Sequence, residues 1–175
     1  DGGGLSSALG QLGGLASLAG VSIGGGESSE SQIAQEIMKS WSFVETFISD
    51  NDLAVEVYAV DGWSKNSGEL QISEEIFDIA SGEWLTEDSS GKIAPPSSWQ
   101  LFKVFSGMLS VSEDKKSGLV SVSIEHYSPQ MAKELLDLYV FAINEHMQSR
   151  QVSKVSNNIE YLEAQINKTS IAEMR

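Results

Sequence analysis

From Pro129 to the last residue, Arg175, the chain contains no glycine and no proline beyond Pro129 itself. Ser128 stands where an N-cap belongs, and Pro129 occupies the first helical position, where a missing N–H costs nothing. A continuous helix over this stretch runs about 70 Å at ~1.5 Å per residue. A globular body made from the preceding residues spans only about 35 to 40 Å. The spacing therefore predicts a helix that outruns the domain it starts from.

The apolar pattern changes along that helix. Up to Met147 the face is broad, with Met131, Leu135, Leu138, Tyr139, Ala142, Ile143 and Met147, which suits a helix lying on a core. From Val152 the pattern narrows to Val152, Val155, Ile159, Leu162 and Ile166, a 3-4-3-4 spacing that makes a seam. Burying such side chains is worth ~1.5 to 3 kcal/mol each, too much to leave in water. A partner strand is expected: either sequence beyond Arg175 folding back, or neighbouring copies of the chain.

Upstream, residues 1–26 form a Gly/Leu-rich segment, "GGGLSSALGQLGGLASLAGVSIGGG" from Gly2 on, which is uncharged after Asp1 and holds 10 of the 16 glycines. It reads as a close-packed juxtamembrane segment or as a flexible linker. No Gly-Lys-Ser/Thr follows it, which disfavours a phosphate-cradling loop. Residues 27–128 are expected to fold as an α/β base. Glu27 to Ser49 reads as one helix with a capping-box spacing at Ser29 and Gln32 and a stripe through Ile33, Ile37, Trp41, Val44 and Ile48, ended by Asp50, Asn51 and Asp52. Leu53 to Val60 fits helix and strand templates alike. Between Trp63 and Leu85, "ELQI", "EIFDI" and "EWL" look like short extended pieces.

After Pro95-Pro96, Ser97 and Gln100 again have capping-box spacing and open a short amphipathic helix through Leu101, Phe102, Phe105 and Met108 or Leu109. "MLSVS" and "GLVSVSIE" then read as a hairpin, turning at "EDKKSG", whose Gly118 accepts a positive φ. The expected class is α+β: a small mixed sheet with packed helices forming a base, then the long helix over 129–175, base-packed to about Met147.

Composition narrows the chemistry. The net charge is −14, and Glu27 to Lys92 alone holds 15 acidic against 3 basic residues, or −12. Such a field repels phosphate backbones and anionic headgroups, so nucleic acid is not an expected partner. No cysteine is present, which removes disulfides and thiolate chemistry. The two histidines, His126 and His146, lack the i+3 or i+4 companions of a helical metal site, and no Gly-x-Ser-x-Gly elbow surrounds a serine. "EHYS" at 125–128 gathers a carboxylate, an imidazole, a phenol and a hydroxyl, yet a strand end followed by a capped helix accounts for the same letters. Glu74-Glu75 and Glu113-Asp114 are carboxylate pairs of the kind glycosidases use, in a chain where such neighbours arise by chance. Trp41, Trp63, Trp84 and Trp99 are expected to pack inward rather than stack on sugars. The sequence calls for no catalytic residue, cofactor or metal.

The ordered series "LGGLASLAG", "SWSFVETFISDNDL", "GWSKNSGELQISEEIFD", "GEWL", the stretch from "PSSWQLFKVFSGMLSVSEDKK" through "GLVSVSIEHYSPQMAKELLDLYVFAINEHM", and "NNIEYLEAQINKTSIAEM" resembles the periplasmic region of polysaccharide chain-length determinants. This Wzz-like family is also called the polysaccharide co-polymerases. The resemblance covers nearly the whole chain and rests on the order of the motifs. It implies an inner-membrane protein of a Gram-negative bacterium, with membrane helices flanking this periplasm-facing region and the α/β base near the membrane. It further implies a ring-like homo-oligomer that sets O-antigen or related polysaccharide length beside a polysaccharide polymerase, handling lipid-linked glycan without catalysis of its own. The exopolysaccharide branch, which carries a cytoplasmic tyrosine kinase region, is an alternative. A carboxylate-based periplasmic glycan-cleaving enzyme and a helical adaptor without a glycan role are readings from other classes.

Overall fold

A computed structural model describes residues 26–173 of the chain. The Gly/Leu-rich segment lies outside them except for Gly26, where the first helix begins. The chain divides into two units: Ile33–Asn144, and a second whose described part is 26–32 with 145–173.

Among the described residues, five helices and six strands follow one another in an α+β arrangement. They are α1 (Gly26–Met38), α2 (Trp41–Asp50), α3 (Ala54–Tyr58), β1 (Val60–Trp63), β2 (Leu70–Ile72), β3 (Phe77–Asp78), β4 (Glu83–Trp84), α4 (Ser98–Met108), β5 (Leu109–Glu113), β6 (Val120–Ile124) and α5 (Pro129–Glu173). The strands pair only as antiparallel hairpins, β1 with β2, β3 with β4 and β5 with β6, so the sheet content is three two-stranded ladders. An isolated two-stranded hairpin is marginal in water, so these depend on the helices around them.

The single helix expected over Glu27 to Ser49 is two. Ser40 breaks it: its hydroxyl donates to the Ile37 carbonyl at 2.7 Å, closing α1, and accepts from the Phe43 N–H at 3.3 Å, capping α2. A serine hydroxyl that offers the backbone this alternative is a good cap and a poor interior residue. The break also resets the helical phase. The stripe that buries on α2 is Phe43, Val44, Phe47 and Ile48, and Trp41, at the first position, falls off it. Ser29 lies inside α1 rather than at its start.

Asp50 ends α2 as its Asp-Asn-Asp sequence suggests, with the Asn51 amide donating to the Phe47 carbonyl at 2.8 Å and Asp52 at φ 53°. The ambiguous stretch after it serves both templates in turn, one helical turn in α3 and then β1. A capping box starts α4 at Ser97 and Gln100, and its last residue, Met108, leads straight into β5. In the β5–β6 hairpin, Val111 faces Val122 and Leu109 faces Ile124 across the ladder, while Gly118 takes φ 70° in the turn.

The core of the Ile33–Asn144 unit is aromatic at its centre. Tyr139 of α5 meets Phe47 of α2 at 4.8 Å between ring centroids, Phe105 of α4 at 5.2 Å and Phe43 at 5.4 Å. Edge-on and tilted aromatic contacts of this kind add about 0.5 to 1.5 kcal/mol beyond area burial. Leu135 and Ile143, one helical turn to either side of Tyr139, complete the buried face of α5. The Tyr139 hydroxyl donates to the Met38 carbonyl at the end of α1, which satisfies the polar atom that this side chain brings into the core.

Candidate functional site at the strand–helix joint and the apolar seam

Two sets of residues stand out in the sequence. The first is the joint Ser128-Pro129. Pro129 is the first residue of α5, and the Ser128 hydroxyl accepts from the Met131 N–H at 3.3 Å while its carbonyl takes the Ala132 N–H at 2.9 Å. Ser128 is 3% exposed, a buried polar side chain whose hydrogen bonds the helix start supplies.

His126 fixes the joint from the other side. Its Nδ1 lies 3.1 Å from the Ser128 N–H, and its Nε2 lies 3.0 Å from the Glu56 carbonyl of α3. The arrangement that satisfies both contacts has Nδ1 accepting and Nε2–H donating. With both ring nitrogens engaged in backbone contacts, His126 acts as a strut between α3 and the start of α5. Sequence spacing could not reveal this link, because its partners are 70 residues apart. Ser128 is correspondingly occupied as a cap, so within "EHYS" both His126 and Ser128 serve as joinery.

The carboxylate pairs are likewise occupied or exposed. Glu113 accepts from the Gln35 side-chain amide at 2.8 Å. Asp114 holds the β5–β6 turn, and the Lys116 N–H, followed by the Ser117 hydroxyl, lowers its carboxyl below the ordinary range. Glu74 and Glu75 lie exposed in the turn before β3. Among the described residues no three His, Asp or Glu side chains group as metal ligands, and no helix is long and apolar enough to cross a membrane.

The expectation that all four tryptophans pack inward is corrected for two of them. Trp41 and Trp99 are 45% and 48% exposed and meet edge to face at 5.2 Å, each at the first turn of its helix, α2 and α4. Trp84, by contrast, packs between Phe77 and Tyr58.

The second set is the seam. Val152, Val155, Ile159, Leu162 and Ile166 lie on one unbroken helix, and each is between 52% and 67% exposed. Numbered as heptads, Val152, Ile159 and Ile166 fall at a, and Val155 and Leu162 at d. The flanking e and g positions between the first and last seam residues are Ser156, Asn158, Glu163 and Gln165, a single formal charge among them. The stripe is thus apolar at its centre and almost neutral at its margins. Comparison of the chain with protein-family models, with curated proteins and with solved structures finds no match.

Proposed function

We propose that this chain is the periplasmic region of an oligomeric, non-enzymatic regulator of surface-polysaccharide chain length, a co-polymerase of the Wzz type acting beside a polysaccharide polymerase at the inner membrane. The observation that carries the reading is the exposed 3-4-3-4 seam on α5. Five aliphatic side chains at this spacing have the pattern that packs against another helix and have little use otherwise. The ordered motif series supplies the biological setting.

The covering partner is another copy of the chain. β-Branched residues at every a position, together with Leu at d as at Leu162, are the combination that favours helices meeting in pairs. Because the margins of the seam carry a single charge, contact depends on apolar packing, and salt screening weakens it little. The joint serves the same end: the His126 strut and the Ser128 cap define where α5 begins.

Deletion of the gene tests the function. The account expects the modal length of the cell's O-antigen, capsule or exopolysaccharide to shift, with restoration by the wild-type gene and not by Ile159→Asp. Unchanged length distributions of all three polymers contradict it.

A further inference from the structure

Glu125, His126 and Tyr127 have one more property that joinery does not use. With Glu56 and Tyr58 of α3 and Val104 and Met108 of α4, they line a cavity of about 470 Å³ within the Ile33–Asn144 unit. We propose that this cavity is a binding site for an organic cation, an alkylammonium or guanidinium group on a short aliphatic stem.

Its size falls in the range of small-ligand sites, about 300 to 1,000 Å³. Two carboxylates line it, and no lysine or arginine does. A concave site carrying one sign of charge focuses the field and concentrates ions of the opposite sign. The net charge of the unit that holds the cavity has the same sign, with 18 acidic against 7 basic residues between Ile33 and Asn144. An anionic or phosphorylated ligand is thereby disfavoured.

The remaining lining selects among cations. The rings of Tyr58 and Tyr127 give it aromatic surface of the kind that attracts ammonium and guanidinium groups. Val57, Val104 and Met108 supply apolar surface for a methylene stem. A bare metal ion has no use for such walls, and no trio of His, Asp or Glu ligands stands among the described residues.

Glu56 adds a separate sign of an unfilled role. Its Oε2 is enclosed and has no hydrogen-bond partner, while its backbone carbonyl is taken by His126. A carboxylate oxygen withdrawn from water without a donor carries an uncompensated desolvation cost. A cationic N–H donor in the cavity, with a small turn of the carboxylate, supplies that donor.

The test uses the complete chain and nuclear magnetic resonance titration with Nα-acetyl-lysine methylamide and its arginine counterpart. The norleucine counterpart, which keeps the stem and lacks the charge, is the control. Saturable shifts at Glu125, His126 and Tyr127 with the charged probes, absent with norleucine, are expected. Glu125→Gln, at an exposed position, should keep the unfolding midpoint and weaken binding about fivefold to tenfold through loss of a charge-assisted contact. Glu56→Gln should weaken it further.

The source of the cation is separable in the same experiment. Shifts at these residues on diluting the protein alone identify a basic side chain of a second copy, whereas shifts only on adding probe identify another molecule. Absence of saturable shifts with both charged probes, equal binding of norleucine, or equal affinity in Glu125→Gln overturns the proposal.

Discussion

Tyr139 concentrates the physics of the core in one side chain. It is fully buried, three phenylalanine rings surround it, and its hydroxyl reaches the Met38 carbonyl. Burial raises its pKa above the ordinary value near 10, because the phenolate would be desolvated. A group whose folded pKa is raised contributes stability that is complete below the unfolded pKa and is lost as pH rises beyond it. Tyr139→Phe should therefore cost about 1 to 3 kcal/mol at neutral pH, through the unsatisfied Met38 carbonyl. It should also flatten the loss of stability between neutral pH and pH values above about 10. Urea unfolding of both proteins at the two pH values checks this, and parallel losses contradict it. Ser128→Ala should cost about 1 kcal/mol through the cap of α5, read by the same method. At this scale the sequence was legible where a residue's partner is close in the chain, as for Ser97 with Gln100 or Ser128 with Met131. It was silent on His126 with Glu56, because nothing in either residue's neighbourhood announces a contact across 70 positions.

Among the elements, those with strong local chemistry came out of the sequence intact. The β5–β6 hairpin is the clearest case: alternation set its two faces, and Gly118 was the residue free to take φ 70°. Open space surrounds the Cβ position of Gly118, so a substitution there meets backbone strain alone. Gly118→Ala should cost about 1 to 2 kcal/mol, measurable as a lower urea midpoint, and an unchanged midpoint contradicts the assigned turn. The helix over Glu27 to Ser49 was misread for an equally physical reason. Its apolar periodicity runs almost unbroken through Ser40, and periodicity does not report that a hydroxyl there bonds the backbone on both sides. The misplaced phase then carried Trp41 into the expected core and left Phe43 and Phe47 out of the stripe. Leu53 to Val60 resisted a single assignment because it contains two elements, α3 and the first residue of β1.

For the whole molecule, the change of apolar pattern along α5 carries the most weight. Its buried face holds Leu135, Tyr139 and Ile143, and the exposed seam begins at Val152. The α+β class and the long helix were legible because glycine and proline punctuation is strong in the first three-quarters of the chain and absent from the last. The proposal that the seam's partner is a second copy concerns the assembly, and what supports it is the apolar surface that α5 leaves exposed. The most direct test of that claim is the mass of the full-length protein's assembly, by light scattering or sedimentation, for wild type and for Ile159→Asp with Leu162→Asp. The account predicts that the double variant loses the wild-type assembly while keeping the unfolding midpoint of the base. The same assembly mass in both proteins would contradict it.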